Sequence, residues 1–256
     1  VLLAVDVGNT SSVIGLFDGD RFADEWRVIT RPRTADELEV TVRGLFASRA
    51  IDEAAIDAAC LATTVPPGQG TWEEVLRRIA GVEPVVVGPG VKTGVAVRTQ
   101  NPREVGPDRI ANAAAAAVMV GAPAIVVDFG TATNFDVIAA DGAFVGGAIA
   151  PGLEVSMEAL FRQAARLGKV ELSAPPSAIG TATVDSLQSG AVYGFAGLVD
   201  GLVARIRNEL DAPDCPVVAT GGLADLIAEH CVAITHVEPT LTLEGLRLIW
   251  QRATAV

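Results

Sequence analysis

Residues 2–28 read LLAVDVGNTSSVIGLFDGDRFADEWRV, and residues 124–152 read AIVVDFGTATNFDVIAADGAFVGGAIAPG. Both stretches run apolar strand, Asp, one residue, Gly, small polar residues, second strand, Asp-Gly, third strand. Asp6 recurs as Asp128 and Gly8 as Gly130, at a constant spacing of 122 residues. The Asp18-Gly19 and Asp141-Gly142 pairs, typical hairpin turns, agree with each other to within one residue. One Asp-x-Gly is cheap by chance and fits an ordinary Asx-stabilised turn. The same order twice, half a chain apart, predicts an α/β protein of two related halves: residues 1–120, carrying the first hairpin, and residues 121–256, carrying the second.

Composition supports a folded chain of that size. There are 256 residues, half of them apolar, enough for one large core or two of about 120 residues. The formal net charge is −12 and no run of Lys or Arg reaches four. A nucleic-acid partner, which needs a basic face, is therefore not expected. The cysteines Cys60, Cys215 and Cys231 are odd in number and far apart, with no CxxC, and read as reduced thiols. His230 and His236 lack the spacing of metal ligands. No basic segment precedes an apolar core at the N-terminus, so no signal peptide is read. The most membrane-like stretch, residues 110–127, contains Asn112 and is broken by Gly121 and Pro123, so no membrane association is expected. The expected location is the cytoplasm.

Periodicity places short strands at residues 2–7, 12–17 and 21–28. Residues 34–48 have helical spacing, with Thr34 and Glu37 forming a capping-box pattern. IDAACLATT reads as a strand, TWEEVLRRIA as a helix and EPVVVG as a strand. A loop from Gly88 to Pro107 is long for a compact domain, and such loops are usually functional or disordered. It leads into DRIANAAAAAVMV, a helix with Pro107 near its start.

A hairpin opening with Asp-x-Gly and small polar residues suits phosphate. Glycine lets backbone approach a ligand, and successive N–H groups in a tight turn make an anion-binding concavity. Asn9 and Thr10 add side-chain donors. Asp6 cannot bind phosphate itself, but it can hold a hydrated Mg²⁺ that bridges phosphate oxygens. Other nucleotide signatures are absent: GPGVKTG (88–94) matches neither GxxxxGK[ST] nor GxGxxG. In PVVATGGLADLI, Gly221 and Gly222 stand at a strand-to-helix turn where a flat adenine ring could lie on backbone; a plain tight turn is the alternative. Asp108 lies in a first helical turn beside Arg109. The helix terminus and Arg109 are expected to keep it ionised with an ordinary or lowered pKa. Such a carboxylate still suffices for phosphoryl transfer to an alcohol, where the proton is accepted late.

In order along the whole chain, VDVGNT, GPGVKTG, NPREVGPDRI, VDFGTAT, GGAIAPG, Thr183-Val184 with Gln188-Ser189-Gly190, ATGGLA and LTLEGLRLI resemble type III pantothenate kinase. The resemblance implies two duplicated RNase-H-like halves of the acetate kinase, sugar kinase, Hsp70 and actin superfamily, with mixed sheets flanked by helices. It implies ATP-dependent phosphorylation of pantothenate to 4'-phosphopantothenate, the first step of coenzyme A biosynthesis, by a homodimer. Position by position, Asp6, Val7, Gly8, Asn9, Thr10, Ser11, Ser12 and Val13 match the family's phosphate and Mg²⁺ loop. Thr131 matches an ATP contact and Asp128 a ligand of the monovalent cation, K⁺ or NH₄⁺. Gly106, Pro107, Asp108 and Arg109 match the pantothenate segment, with Asp108 as proton acceptor; Thr183 matches a further pantothenate contact.

The chain departs from the family pattern at a few places. Thr99 stands where a Tyr commonly lines the pantothenate pocket. Ser11 replaces a usual Asn, Pro107 a usual Ala and Asn134 a usual Thr. None of these removes a charge the chemistry needs. Two other readings stay open at this point: a same-superfamily kinase acting on another alcohol, and a non-catalytic nucleotide-binding regulatory relative. A third, an actin-like structural protein, would need polymerisation surfaces.

Overall fold

The structure, a computed structural model, describes residues 1–164 and 167–255. In chain order its elements are β1 (Leu2–Val7), β2 (Ser11–Asp18), β3 (Arg21–Ile29), α1 (Ala35–Ser48), β4 (Ala58–Thr63), α2 (Pro66–Ala80), β5 (Val85–Val86) and α3 (Pro107–Met119). They continue with β6 (Ala124–Phe129), β7 (Ala132–Ile138), β8 (Phe144–Pro151), α4 (Leu153–Gln163), α5 (Thr183–Glu209), β9 (Val217–Thr220), α6 (Ala224–Ala228), β10 (His236–Val237) and α7 (Leu241–Thr254). These fall into two compact units: residues 1–96, 100–115 and 241–256, and residues 97–99 and 116–240. The last helix thus packs with the first unit, although it follows the second repeat in sequence.

The first unit holds a five-stranded sheet in the order β3-β2-β1-β4-β5. The β1–β2 and β2–β3 pairs are antiparallel; β1–β4 and β4–β5 are parallel. Strand alternation gives the sheet two distinct faces. Leu3, Val5 and Val7 point to one face and pack with Leu38 and Phe46 of α1 and Trp72 and Val75 of α2. Ala4 and Asp6 point to the other. There Gly15, directly across from Ala4, meets the side chain of Leu243 on α7. A Cβ on Gly245 of α7 would stand 2.0 Å from the Ala111 carbonyl oxygen of α3, so these two helices touch backbone to backbone. Asn112, fully buried on α3, accepts a 2.7 Å hydrogen bond from the Thr242 hydroxyl of α7. The amide that marked this stretch as unsuited to a membrane therefore joins two helices. Among the described residues, no helix is long and apolar enough to cross a membrane.

The second unit repeats the topology. Its sheet runs β10-β9-β6-β7-β8, with β6–β7 and β7–β8 antiparallel and β6–β9 and β9–β10 parallel. Its core joins Ile125, Val127 and Phe135 to Val192, Val199 and Val203 of α5.

Local sequence rules explain some element ends. Thr34 and Glu37 form the expected capping box at α1. The predicted helix at Thr71 begins earlier, at Pro66, because proline suits the first helical turn. The predicted strand EPVVVG shrinks to Val85–Val86 at the sheet edge. The long loop carries a 3₁₀ turn at Pro102–Glu104, and its Val97 bridges to Phe144.

Candidate functional site

Asp6 and Asp128 occupy the same place in their two sheets, one residue before the end of the central strand. Asp6 pairs with Val13 across the hairpin and with Ala62 of β4. Asp128 pairs with Asn134 and with Thr220 of β9. Both are half-buried, as expected for carboxylates at the rim of a sheet.

The first hairpin turn spans Gly8, Asn9 and Thr10. Gly8 N–H donates to the Ser11 carbonyl at 3.1 Å, and Thr30 N–H donates to the Thr10 carbonyl at 3.0 Å. Asn9 and Thr10 are exposed at the tip. Ser11 Oγ accepts from the Arg27 guanidinium at 3.2 Å, and buried Ser12 shares a 2.8 Å hydrogen bond with the Thr30 hydroxyl. Val13 lies across from Asp6 on β2. The turn is thus held at its base and open at its tip.

The second hairpin is tighter. Gly130 N–H donates to the Ala132 carbonyl at 3.0 Å, and Thr131 is exposed at its tip. Gly152 N–H donates to the Thr131 carbonyl at 3.1 Å, and a Cβ at Gly152 would stand 2.4 Å from that oxygen. Gly221 has φ +94°, and its missing Cβ would fall 2.6 Å from Asp128 Oδ1 and 2.7 Å from Phe129 backbone. The Gly-Gly turn therefore seats bare backbone against the Asp128 carboxylate, which no residue with a Cβ would allow. Gly222 has nothing within 4 Å of its Cβ position.

Asp108 is placed by the start of α3, behind Pro107. A Cβ at Gly106 would stand 2.3 Å from Asp108 Oδ1 and 3.6 Å from Thr64 Cγ2. Thr64 in turn donates both its N–H and its hydroxyl to the Val7 carbonyl, at 3.0 and 3.2 Å. Gly106 is thus wedged between the Asp108 carboxylate and the end of β1, and it brings that carboxylate to the neighbourhood of the first hairpin. Thr64 went unnoticed in the sequence; two threonines closing a strand parallel to β1 were the available signal.

Asp108 Oδ1 is sealed from solvent with no hydrogen-bond partner among the described residues. Burial raises the carboxyl pKa above its ordinary value; the Arg109 N–H and the Arg109 charge oppose the shift without cancelling it. The expectation of an ordinary or lowered pKa is therefore corrected. A helix terminus and a neighbouring cation were visible in the sequence, but desolvation, which outweighs them, was not. A raised pKa makes Asp108 a stronger base once it is ionised.

Thr99 is half-buried, and its hydroxyl oxygen is likewise sealed without a partner among the described residues. Thr183 is the exposed first residue of α5. The neighbouring motif residues hold a loop: Gln188 donates to the Glu171 carbonyl and the Ser173 hydroxyl, and Ser189 to the Ala178 carbonyl at 2.7 Å. Within the first unit, Thr64 links the end of β1, where Asp6 and Gly8 flank Val7, to Gly106 and Asp108. Within the second, the fold brings together Asp128, Gly130, Thr131 and Gly221.

The donor set bears on metals. Among the described residues, no group of three or more His, Cys, Asp or Glu side chains could hold an ion by itself. That fits a Mg²⁺ that keeps its waters and binds through one carboxylate plus phosphate oxygens, the way this ion is commonly held.

Two sheets of identical order, each opening with an Asp-x-Gly hairpin, define a duplicated RNase-H-like fold. Solved structures share it. One is component A of (R)-2-hydroxyglutaryl-CoA dehydratase from Acidaminococcus fermentans, with a TM-score of 0.56 at 16% identity over 98% of this chain and 96% of that one. Another is an inorganic polyphosphate/ATP-glucomannokinase from Arthrobacter sp. strain KM, with a TM-score of 0.50 at 15% identity over 96% of both chains.

Within that class the chain belongs to the type III pantothenate kinase family, whose sequence model matches residues 2–205. Relatives named type III pantothenate kinase are 50% identical in Myxococcus xanthus, over 98% of both chains, and 51% identical in Streptomyces coelicolor, also over 98% of both.

Proposed function

We infer that this protein transfers the γ-phosphoryl group of ATP to the primary hydroxyl of pantothenate, the opening step of coenzyme A synthesis. The observation that supports this most directly is the Gly106–Arg109 turn, which holds a carboxylate with one oxygen sealed from solvent near Thr64 at the end of β1. Asp108 orients the pantothenate hydroxyl and accepts its proton. The hydroxyl oxygen forms a bond to the γ-phosphorus as the bond to the ADP oxygen breaks. Because that transition state is loose, alignment and late proton acceptance suffice.

The Gly8–Thr10 turn offers backbone and side-chain donors to phosphate, and Asp6 would hold a hydrated Mg²⁺. When bound, that Mg²⁺ neutralises phosphate charge. Thr131 contacts ATP, the Gly221-Gly222 turn takes the adenine, and Asp128 holds K⁺ or NH₄⁺. Thr99, Gly106, Pro107, Arg109 and Thr183 contact pantothenate. The two halves, residues 1–120 and 121–256, are read as products of one duplication. Exposed Ile149 on the edge strand β8, with exposed Val155 and Leu160 on α4, supports a homodimer, and the proposed compartment is the cytoplasm.

The deciding experiment is turnover with ATP and pantothenate, with and without K⁺, for the wild type and Asp108→Asn. Wild-type turnover that rises with K⁺, and a variant slowed by about 10²–10⁴-fold with ATP affinity retained, is the expected result. Near-wild-type kcat in Asp108→Asn would remove the proton-acceptor role. ATP binding without turnover of pantothenate, but with turnover of another alcohol, would reassign the substrate. Sedimentation velocity tests the dimer, which a single monomer boundary at micromolar protein would exclude.

A further inference from the structure

The first unit contains a cavity of about 300 Å³ on the face of its sheet opposite Asp6. It lies between β1, the segment after β3 and helices α1 and α2, and its apolar walls include Val28, Leu38, Val65 and Trp72. Val7, which also lines it, belongs to the α1–α2 face, whereas Asp6 belongs to the face covered by α7. The proposed chemistry therefore occupies one side of the sheet and this cavity the other. Its volume sits at the lower end of ligand-binding clefts, about 300–1,000 Å³.

Two arginines stand at this apolar cavity. Arg31 and Arg33 both line it, and neither forms an ion pair among the described residues. Elsewhere in this unit Arg21, Arg43, Arg49, Arg77, Arg78 and Arg247 are paired with carboxylates, and Arg27 and Arg252 donate to the Ser11 hydroxyl and the Thr93 carbonyl. Arg33 Nε is sealed from solvent with no acceptor among the described residues. Its terminal nitrogens reach only the Thr41 hydroxyl at 3.2 Å and the Ile29 carbonyl at 3.5 Å. Glu37 is close enough to feel both charges, but its carboxylate is committed to the N–H and hydroxyl of Thr34. A buried guanidinium donor without an acceptor is costly unless something supplies one.

We propose that this cavity binds a small amphipathic anion, an oxyanion head on Arg31 and Arg33 and a compact apolar body against Leu38, Val65 and Trp72. Asn9 and Ser12 also line the cavity, so its occupant touches the first hairpin from behind. The site is separate from the pantothenate contacts proposed above, and its test does not depend on turnover.

The probe is 4-phenylbutyrate, with 4-phenyl-1-butanol as the uncharged control. The readout is the ¹H–¹⁵N indole resonance of Trp72, identified by its loss in Trp72→Phe. The acid is expected to shift that resonance saturably and to bind about tenfold more tightly than the alcohol, as a charge-assisted hydrogen bond would give. Arg33→Gln should erase that preference. Gly68 also lines the cavity, with nothing within 4 Å of its Cβ position, so Gly68→Leu should block both probes while leaving distant resonances in place. Should Arg33→Gln fail to fold, Arg31→Gln, at an exposed residue, carries the same expectation. Absence of a saturable shift, equal affinity for acid and alcohol, or a preference that survives both arginine variants overturns the proposal.

Discussion

The two hairpins share a scaffold and differ at its tip. In the first, Gly8 N–H closes on the carbonyl three residues ahead; in the second, Gly130 N–H closes on the carbonyl two residues ahead. One added residue leaves both Asn9 and Thr10 exposed where the second hairpin offers Thr131 alone. The neighbouring parallel strands diverge as well. At the end of β4 stand Thr63 and, just beyond it, Thr64, bonded to the end of β1; beyond β9 stands Gly221, bare backbone against Asp128. Topology thus fixes where a carboxylate sits, while the turn after the neighbouring parallel strand decides what packs at that sheet end, a threonine in one unit and bare backbone in the other. A duplicated fold can separate two tasks without changing a strand order.

That division of labour can be broken experimentally. Asp6→Ala is expected to lower kcat by about 10²–10³-fold, as loss of a charge-organising group commonly does, and to alter the Mg²⁺ dependence. Asp128→Ala should instead abolish stimulation by K⁺ while the Mg²⁺ dependence persists. Steady-state rates across the two cation titrations check this; a shared cation phenotype would mean the hairpins do one job.

A smaller effect concerns stability. Gly221→Ala forces a Cβ into the Phe129 backbone at a positive φ and should cost about 2 kcal/mol or more. Thr64→Ala removes a hydroxyl bond to the Val7 carbonyl and should cost about 1 kcal/mol. Urea midpoints of the two variants order them; the reverse order would mean that the glycine turn yields easily.

Asp108 supplies a pH test with a definite sign. Its pKa is raised on folding by burial, so the folded state is penalised when the group is ionised. The penalty is complete above the raised folded value, fades as pH falls through it, and vanishes below the ordinary carboxylate range. Asp108→Asn should therefore raise the Tm at neutral pH, with the gain disappearing on acidification. Thermal melts across that range measure it, and the acid limb of the kcat/KM profile should follow the same group. A destabilised Asn variant at neutral pH would refute burial as the dominant cause.

The smallest expected effect is chemical. Burial pushes the Cys60 and Cys231 thiols up to about 12, and the Cys215 thiol up as well. Native protein should react sluggishly with a thiol reagent at pH 8 and yield its thiols only on unfolding. Rapid native labelling of Cys60 would show that β4 opens.

Much of this was legible in the sequence because it is local. The hairpin repeat, the Thr34–Glu37 box and Pro107 at a helix start are decided by residues within a few positions of one another. What was not legible depends on distant partners. The start of α2 was hidden because Val65 offers no side-chain cap and Pro66-Pro67 reads as loop. The 27-residue α5 was obscured by Gly190, Gly194, Gly197 and Gly201, which dilute helical spacing. The sign of the Asp108 shift required knowing that Gly106 and its surroundings shut out water. The wedge at Thr64 required knowing that β4 lies beside β1.

Gly106 has a final consequence for how this chain tolerates change. Every other amino acid brings a Cβ to the same point, 2.3 Å from Asp108 Oδ1, so the carboxylate must swing out of its place to admit any of them. In a saturation library selected for growth, position 106 should therefore read as a flat, fully depleted column, indifferent to the size, charge or polarity of the replacement. The adjoining Pro107 should read as a graded one. A uniform column of that kind is the genetic signature of an occupied vacancy rather than of a chemical group.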